Sequence, residues 1–236
     1  MVCPIPFESS TFANRTDAGR RLARELRGVL DSEHLIVYGV ARGGVPVAYE
    51  VAMEFQAPLD VIVVRKLGVP GQPDLVLGAV AARGAVVVDD TVAETHDLSE
   101  DEVERLTQAQ QAELTQREER FRDRSGYPDA DGVTAVLVDD GMASGATMRA
   151  SAITLREEGA ERLVVAVPVG SAQACRDIED GVDEVVCLLT PERFGAVGAW
   201  YDDFTPVEDD DVVLVLDQAR ERPDQERGRR PRFGWS

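Results

Sequence analysis

The segment TAVLVDDGMASGATMRA, residues 134–150, holds the chain's densest set of groups that could do chemistry. An apolar run delivers two adjacent carboxylates, Asp139 and Asp140; small residues follow, with hydroxyls at Ser144 and Thr147, and then a helix-forming sequence. Paired carboxylates at the end of a buried strand can accept hydrogen bonds from the vicinal hydroxyls of a sugar, or orient a magnesium ion through its waters. Gly141 and Gly145 let the backbone approach a ligand closely. Amides from Met142 through Ala143, Ser144, Gly145 and Ala146 to Thr147 can then converge on an anion at a helix start. The stretch reads as a cup for a sugar phosphate. It has neither the GxxxxGK[ST] of a P-loop nor the GxGxxG of dinucleotide folds. A second run, AVVVDDTVAET at 85–95, repeats the strand and the acidic pair without a glycine, so Asp89 and Asp90 read as a strand end and cap.

Two further stretches place cations where an anion could sit. In YGVARGGVPVA, Arg42 precedes Gly43 and Gly44 at a helix start, which offers charge and exposed amides together. In VVRKLGVP, Arg65 and Lys66 end a strand; the bland alternative is two solvated side chains. Of the 25 basic residues 24 are arginine, which makes Lys66 the chain's single lysine. A compact ammonium suits a small anion that a guanidinium would serve differently.

These residues need elements to hold them. TDAGRRLARELRGVL at 16–30 puts Ala18, Leu22, Ala23, Leu26 and Leu30 on one helical stripe, with Asn14 or Thr16 as cap. LIVYGV, a helix over about 45–55 and DVIVVR form a βαβ unit. The glycines and prolines of 67–84 predict a long mobile loop leading to the hairpin strand AVVV. Residues 98–124 read as one long exposed helix, a cover, dimer contact or entry hood. After TAVLVD come a helix stopped by Gly159, the strand RLVVAVPV, a helix over about 171–180 and the strand EVVCLL. Alternation of this kind predicts an α/β, doubly wound, mainly parallel sheet, with ligands at the carboxyl ends of its strands. One domain over 1–220 is expected, with a disordered tail over 221–236.

Composition narrows the function. A net charge of −19 argues against nucleic acid as a partner, because such binding displaces counterions with a basic surface. Scarce lysine in so acidic a chain points to a salt-rich cytosol or to codon drift toward arginine. No apolar run approaches the roughly 18 residues of a membrane span, and the N-terminus lacks signal-peptide character, so a cytoplasmic location with no membrane partner is the expectation. Cys3, Cys175 and Cys187 form no CxxC, and the two histidines, His34 and His96, are too few for a zinc site or a histidine-based triad. Chemistry falls to carboxylates, hydroxyls, amides and cations.

The 134–150 stretch resembles the phosphoribosyl pyrophosphate (PRPP) motif of type I phosphoribosyltransferases: apolar strand, two acidic residues, a short loop ending in Thr/Ser-Gly, then Thr or Ser. FANRTDAGR, RGGVPVA, RKLGVP with LGAV, VDDGMASGAT, AVPV and FGAVGAWYDDF are similar to the motifs of one group of predicted phosphoribosyltransferases, over nearly the full length to about residue 215. Asp74, where glutamate is usual, and Ser144, where threonine is commoner, depart from the pattern without loss of charge or hydroxyl. The resemblance implies displacement of pyrophosphate from PRPP by a small nitrogenous acceptor, with Mg2+ held by PRPP and, through water, by Asp139 and Asp140. It implies catalytic roles for Asp139, Asp140, Lys66 and Arg65, pyrophosphate binding by Arg42, Gly43, Gly44, Arg65 and Lys66, and 5′-phosphate binding by residues 141–147. It also suggests a homodimer and a hood over about 190–206. There Phe194, Trp200, Tyr201 and Phe204 are either a stacking surface for a base or packing. Ala143 stands where 6-oxopurine enzymes carry an aspartate, which weighs weakly against hypoxanthine and guanine. The alternatives are a non-catalytic PRPP sensor or regulator, and a hydrolase of PRPP or another phosphoester.

Overall fold

The computed structural model describes residues 11–31, 34–82, 84–121 and 130–221; Cys3, residues 122–124 of the expected long helix and the tail from 222 lie outside them. In chain order, α1 (Arg15–Leu26), β1 (Leu35–Val40), α2 (Gly44–Phe55) and β2 (Leu59–Ile62) lead to β3 (Val64–Val69), β4 (Gln72–Ala81) and β5 (Val86–Val88). Two helices follow, α3 (Asp90–Thr95) and α4 (Glu100–Phe121). Alternation then resumes with β6 (Thr134–Val138), α5 (Ala146–Glu157), β7 (Arg162–Val169), α6 (Ala172–Glu179) and β8 (Glu184–Leu189). A 3-10 turn, Val197–Trp200, precedes α7 (Asp209–Arg220).

The fold is α/β, built on a five-stranded parallel sheet in the order β2-β1-β6-β7-β8. Its strands are nearly continuous apolar runs because both faces are covered. Val37, Val136 and Val164 face Leu22 and Leu26 of α1 and Val47 and Val51 of α2, while Tyr38, Leu137 and Val165 face Met148 and Leu155 of α5 and Ile178 of α6. From β1 the chain builds outward to β2, and from β6 it builds the other way through β7 to β8. The strand order therefore reverses between β1 and β6, and a crevice opens there beyond their carboxyl ends. Those ends carry residues 41–44 and 139–145, the two glycine-bearing segments singled out above.

Three expectations change. The strand expected at 60–65 breaks at Val63, and its second half is β3 of a separate antiparallel sheet, β3-β4-β5. The segment 67–84, expected as a loop, is most of a hairpin. Its glycines serve a strand geometry: Gly71 turns with φ +78°, Gly68 sits at a register shift, and Gly78 lies so close to the Val87 carbonyl that a Cβ would collide with it. The hairpin also has a core, since Leu67, Val69, Leu77 and Val80 are buried beneath α4 and α7. For the same reason α4 is exposed on one side only, with Leu114 and Phe121 buried. Across the hairpin's other face Ala79 packs on Ala146 and Ala150, which ties the hairpin to the helix that begins at the cup.

Candidate active site

The acidic pair leaves β6 at the crevice, and its surroundings are tight. Asp139 turns a carboxylate oxygen back to accept from the Asp140 amide at 2.8 Å. The 41–44 segment, which contains a cis Ala41–Arg42 peptide, lies directly against both carboxylates. A Cβ on Gly44 would stand 2.5 Å from the Val138 carbonyl and 2.8 Å from Asp139 Cα, and one on Gly43 would collide with the Asp140 carboxylate. Gly43 and Gly44 are thus required by close contact with the acidic pair and not by a left-handed turn, since Gly43 is right-handed helical and neither has a positive φ. Gly44→Ala is expected to cost about 1–3 kcal/mol by overpacking, which lowers the melting temperature by roughly 2–4 °C per kcal/mol for a domain of this size. A melt unchanged from wild type would show that the loop lies farther from β6.

Burial and the neighbouring Asp140 charge push the Asp139 carboxyl well above the usual carboxylate range. Asp140 is also raised by burial, against the pull of Arg15. Arg15, the first residue of α1, donates from Nε and Nη2 to Asp140 Oδ2 at 2.9 and 2.8 Å. Sequence reasoning gave this arginine no role. Its only signal was its place in FANRTDAGR, far from the acidic pair in the chain.

The cup follows the pair. Gly145 adopts φ +74° at the start of α5, a conformation in which a Cβ is strained, and the first-turn amides of α5 point out of the helix. Of the expected amides, that of Met142 donates instead to the Val169 carbonyl at 2.9 Å. Ser171 braces the cup from below, its amide donating to the Met142 carbonyl and its hydroxyl to the Ala143 carbonyl at 2.7 Å. Lys66, Asp139, Asp140, residues 141–145, Thr147 and Val197 line one pocket of about 200 Å³.

The remaining expected residues are placed differently. Arg42 pairs with Glu208 at 2.9 Å and Asp209 at 3.6 Å, at the start of α7. Arg65 pairs with Glu113 of α4 at 2.6 Å, both well exposed. Neither arginine lines the pocket that Lys66 enters. Among the aromatics of the 190–206 segment, Tyr201 donates from its hydroxyl to the Asp140 carbonyl at 2.6 Å and Phe204 lies under the Arg15 guanidinium, whose Cζ is 3.9 Å from the ring centroid. Trp200 donates to the Phe194 carbonyl. Phe12, Tyr201 and Phe204 stack in a tilted row, and the backbone of 200–203 pairs with that of 12–13. These rings pack the wall behind the acidic pair. Cys175 and Cys187, twelve positions apart, both lie against Gly170 as free thiols.

A doubly wound sheet that presents an acidic pair, a glycine loop and a helix-start cup at its strand reversal defines the α/β class to which type I phosphoribosyltransferases belong. The chain belongs to that family: the phosphoribosyl transferase domain model matches residues 11–203. It is 46% identical over 208 residues to the Mycobacterium tuberculosis protein "Putative phosphoribosyl transferase Rv0571c", covering 88% of this chain and 47% of that protein. The matching protein of strain CDC 1551 shares the same 46% identity over 208 residues. The chain thus spans about half the length of the curated relatives it matches. The crystal structure of TT1426 from Thermus thermophilus is similar at a TM-score of 0.75 and 40% identity, covering 88% of this chain and 98% of that one.

Proposed function

We propose that this protein transfers the 5-phosphoribosyl group of PRPP to a small nitrogenous acceptor and releases pyrophosphate. The observation that supports it is one pocket shared by the acidic pair, the cup and the chain's single lysine. Asp139 and Asp140 accept hydrogen bonds from the ribose hydroxyls, and their charge stabilises the sugar as it becomes cationic at carbon 1. The amides of residues 143–147, with the hydroxyls of Ser144 and Thr147, hold the 5′-phosphate at the start of α5. Lys66 and the amides of Gly43 and Gly44 face the leaving pyrophosphate. Arg42 reaches it only by exchanging Glu208 and Asp209 for phosphate oxygens, and Arg65 only by exchanging Glu113.

The donor set fits Mg2+ in one manner. Among the described residues no group of three or more His, Cys, Asp or Glu side chains could hold a metal alone. Two adjacent carboxylates do suit an ion whose ligands are PRPP oxygens and water, with Asp139 and Asp140 holding it through that water. Bound so, the ion would neutralise charge on the pyrophosphate.

Pyrophosphate release and nucleotide formation, followed in a mixture of protein, Mg2+, PRPP and a panel of bases, test the proposal. Base-dependent release is expected. Base-independent release would make the protein a hydrolase, and tight PRPP binding without release a sensor.

A further inference from the structure

We infer that Arg15 is a positioning residue for the sugar-phosphate site, one that acts on the ligand through Asp140 and latches three separate segments around it. The inference rests on the PRPP reading above. Arg15 is held in place from α1, whose buried Leu22 and Leu26 fix the helix on the sheet. Its side chain is only 11% exposed and that of Asp140 only 13%. Two of its nitrogens meet Asp140 Oδ2, which leaves Oδ1 as the oxygen for a ligand hydroxyl. Its third, Nη1, donates to the Thr205 carbonyl at 2.8 Å, and its flat face covers Phe204. The same Asp140 carboxylate packs on Gly43, and its backbone carbonyl receives the Tyr201 hydroxyl. One guanidinium therefore joins α1, the 200–205 strap and the acidic pair, which in turn bears on the glycine loop. A lysine could supply the charge but not the planar fork and the stacking.

If Arg15 works through Asp140, the two residues form one unit and their substitutions cannot add. Calorimetric affinity for PRPP with Mg2+, measured for wild type, Arg15→Met, Asp140→Asn and the double variant, decides this. Arg15→Met alone is expected to weaken binding on the order of tenfold, within the range for residues sharing a hydrogen-bond network. In the Asp140→Asn background it should change affinity by less than about twofold. Equal losses in both backgrounds would overturn the inference, because they would mean that Arg15 matters only to the packing of α1. Arg15→Lys should recover part of the affinity but not all, and it carries the same comparison should the methionine variant not fold. A second readout needs no PRPP: amide hydrogen exchange over 201–206 in the ligand-free protein should speed up in both Arg15 variants. Unchanged exchange there would also overturn the latch. Failure of the wild type to bind PRPP would instead sink the transfer reading, with the exchange experiment still deciding the role of Arg15.

Discussion

Asp139→Asn is expected to weaken PRPP binding about 10- to 150-fold, the loss of a charged acceptor for a sugar hydroxyl, while the protein melts at or above the wild-type temperature at neutral pH. The two effects share a cause. Burial, then the Asp140 charge, raise the Asp139 pKa above its unfolded value, so the native state holds that proton more tightly than the unfolded chain does. Such a group stabilises the fold fully below the unfolded pKa, about 3.9, and the contribution is lost as pH rises through the folded value. Asparagine carries no charge at any pH, so it escapes the cost that the wild-type carboxyl meets as pH rises through its folded value, and it can still accept from the Asp140 amide. The melting gap between variant and wild type should widen as pH rises from about 4, near the unfolded pKa. Unchanged affinity would remove Asp139 from the ribose site, and a variant melting below wild type at neutral pH would show that burial of this carboxylate has no cost. Asp140→Asn should behave oppositely in stability, since it leaves the buried Arg15 guanidinium without its carboxylate.

The contrast between the two aspartates marks where the sequence stops being informative. VDDGMASGAT reports the pair, the cup and the helix start, because those depend on neighbours in the chain and on glycine's backbone freedom. Apolar run length and alternation likewise disclose the parallel strands and the helices between them. What differentiates Asp139 from Asp140 is a residue 125 positions away, and no local pattern announces such a partner. The hairpin at 64–81 was obscured for another reason. Its glycines carry a turn, a register shift and a close strand approach, and in sequence these look the same as loop glycines. The ion pairs of Arg42 and Arg65 are tertiary as well, set by where α7 and α4 happen to land. The aromatics near residue 200 are visible in sequence, yet only packing shows three of their contacts directed at Asp140, Arg15 and the backbone of Phe194.

Lys66 lies where both kinds of information meet, and Lys66→Ala is expected to lower turnover about 10²- to 10³-fold, the usual cost of removing one preorganised electrostatic group, with little change in the Michaelis constant for PRPP. The lysine projects from β3 into the pocket that the acidic pair also lines, and its charge acts on Asp139. In the proposed transfer reaction, pyrophosphate in PRPP carries, before the bond breaks, charge that Mg2+, solvent and backbone amides would share. As the bond to carbon 1 breaks, new negative charge builds on the departing oxygen, and a fixed ammonium gains most at that moment. An interaction stronger in the transition state than in the ground state shows in kcat, whereas uniform binding shows in KM. The hairpin supports a fixed position, because Leu67 beside the lysine is buried under α4 and Arg65 on its other side pairs with Glu113. Lys66→Arg should recover only part of the rate, since a guanidinium is larger and spreads its charge over a plane. Steady-state kinetics over a range of PRPP concentrations separates the cases: a raised KM with normal turnover would reduce Lys66 to a binding residue, and full recovery by arginine would show that charge alone, not its compact placement, is what this strand end supplies.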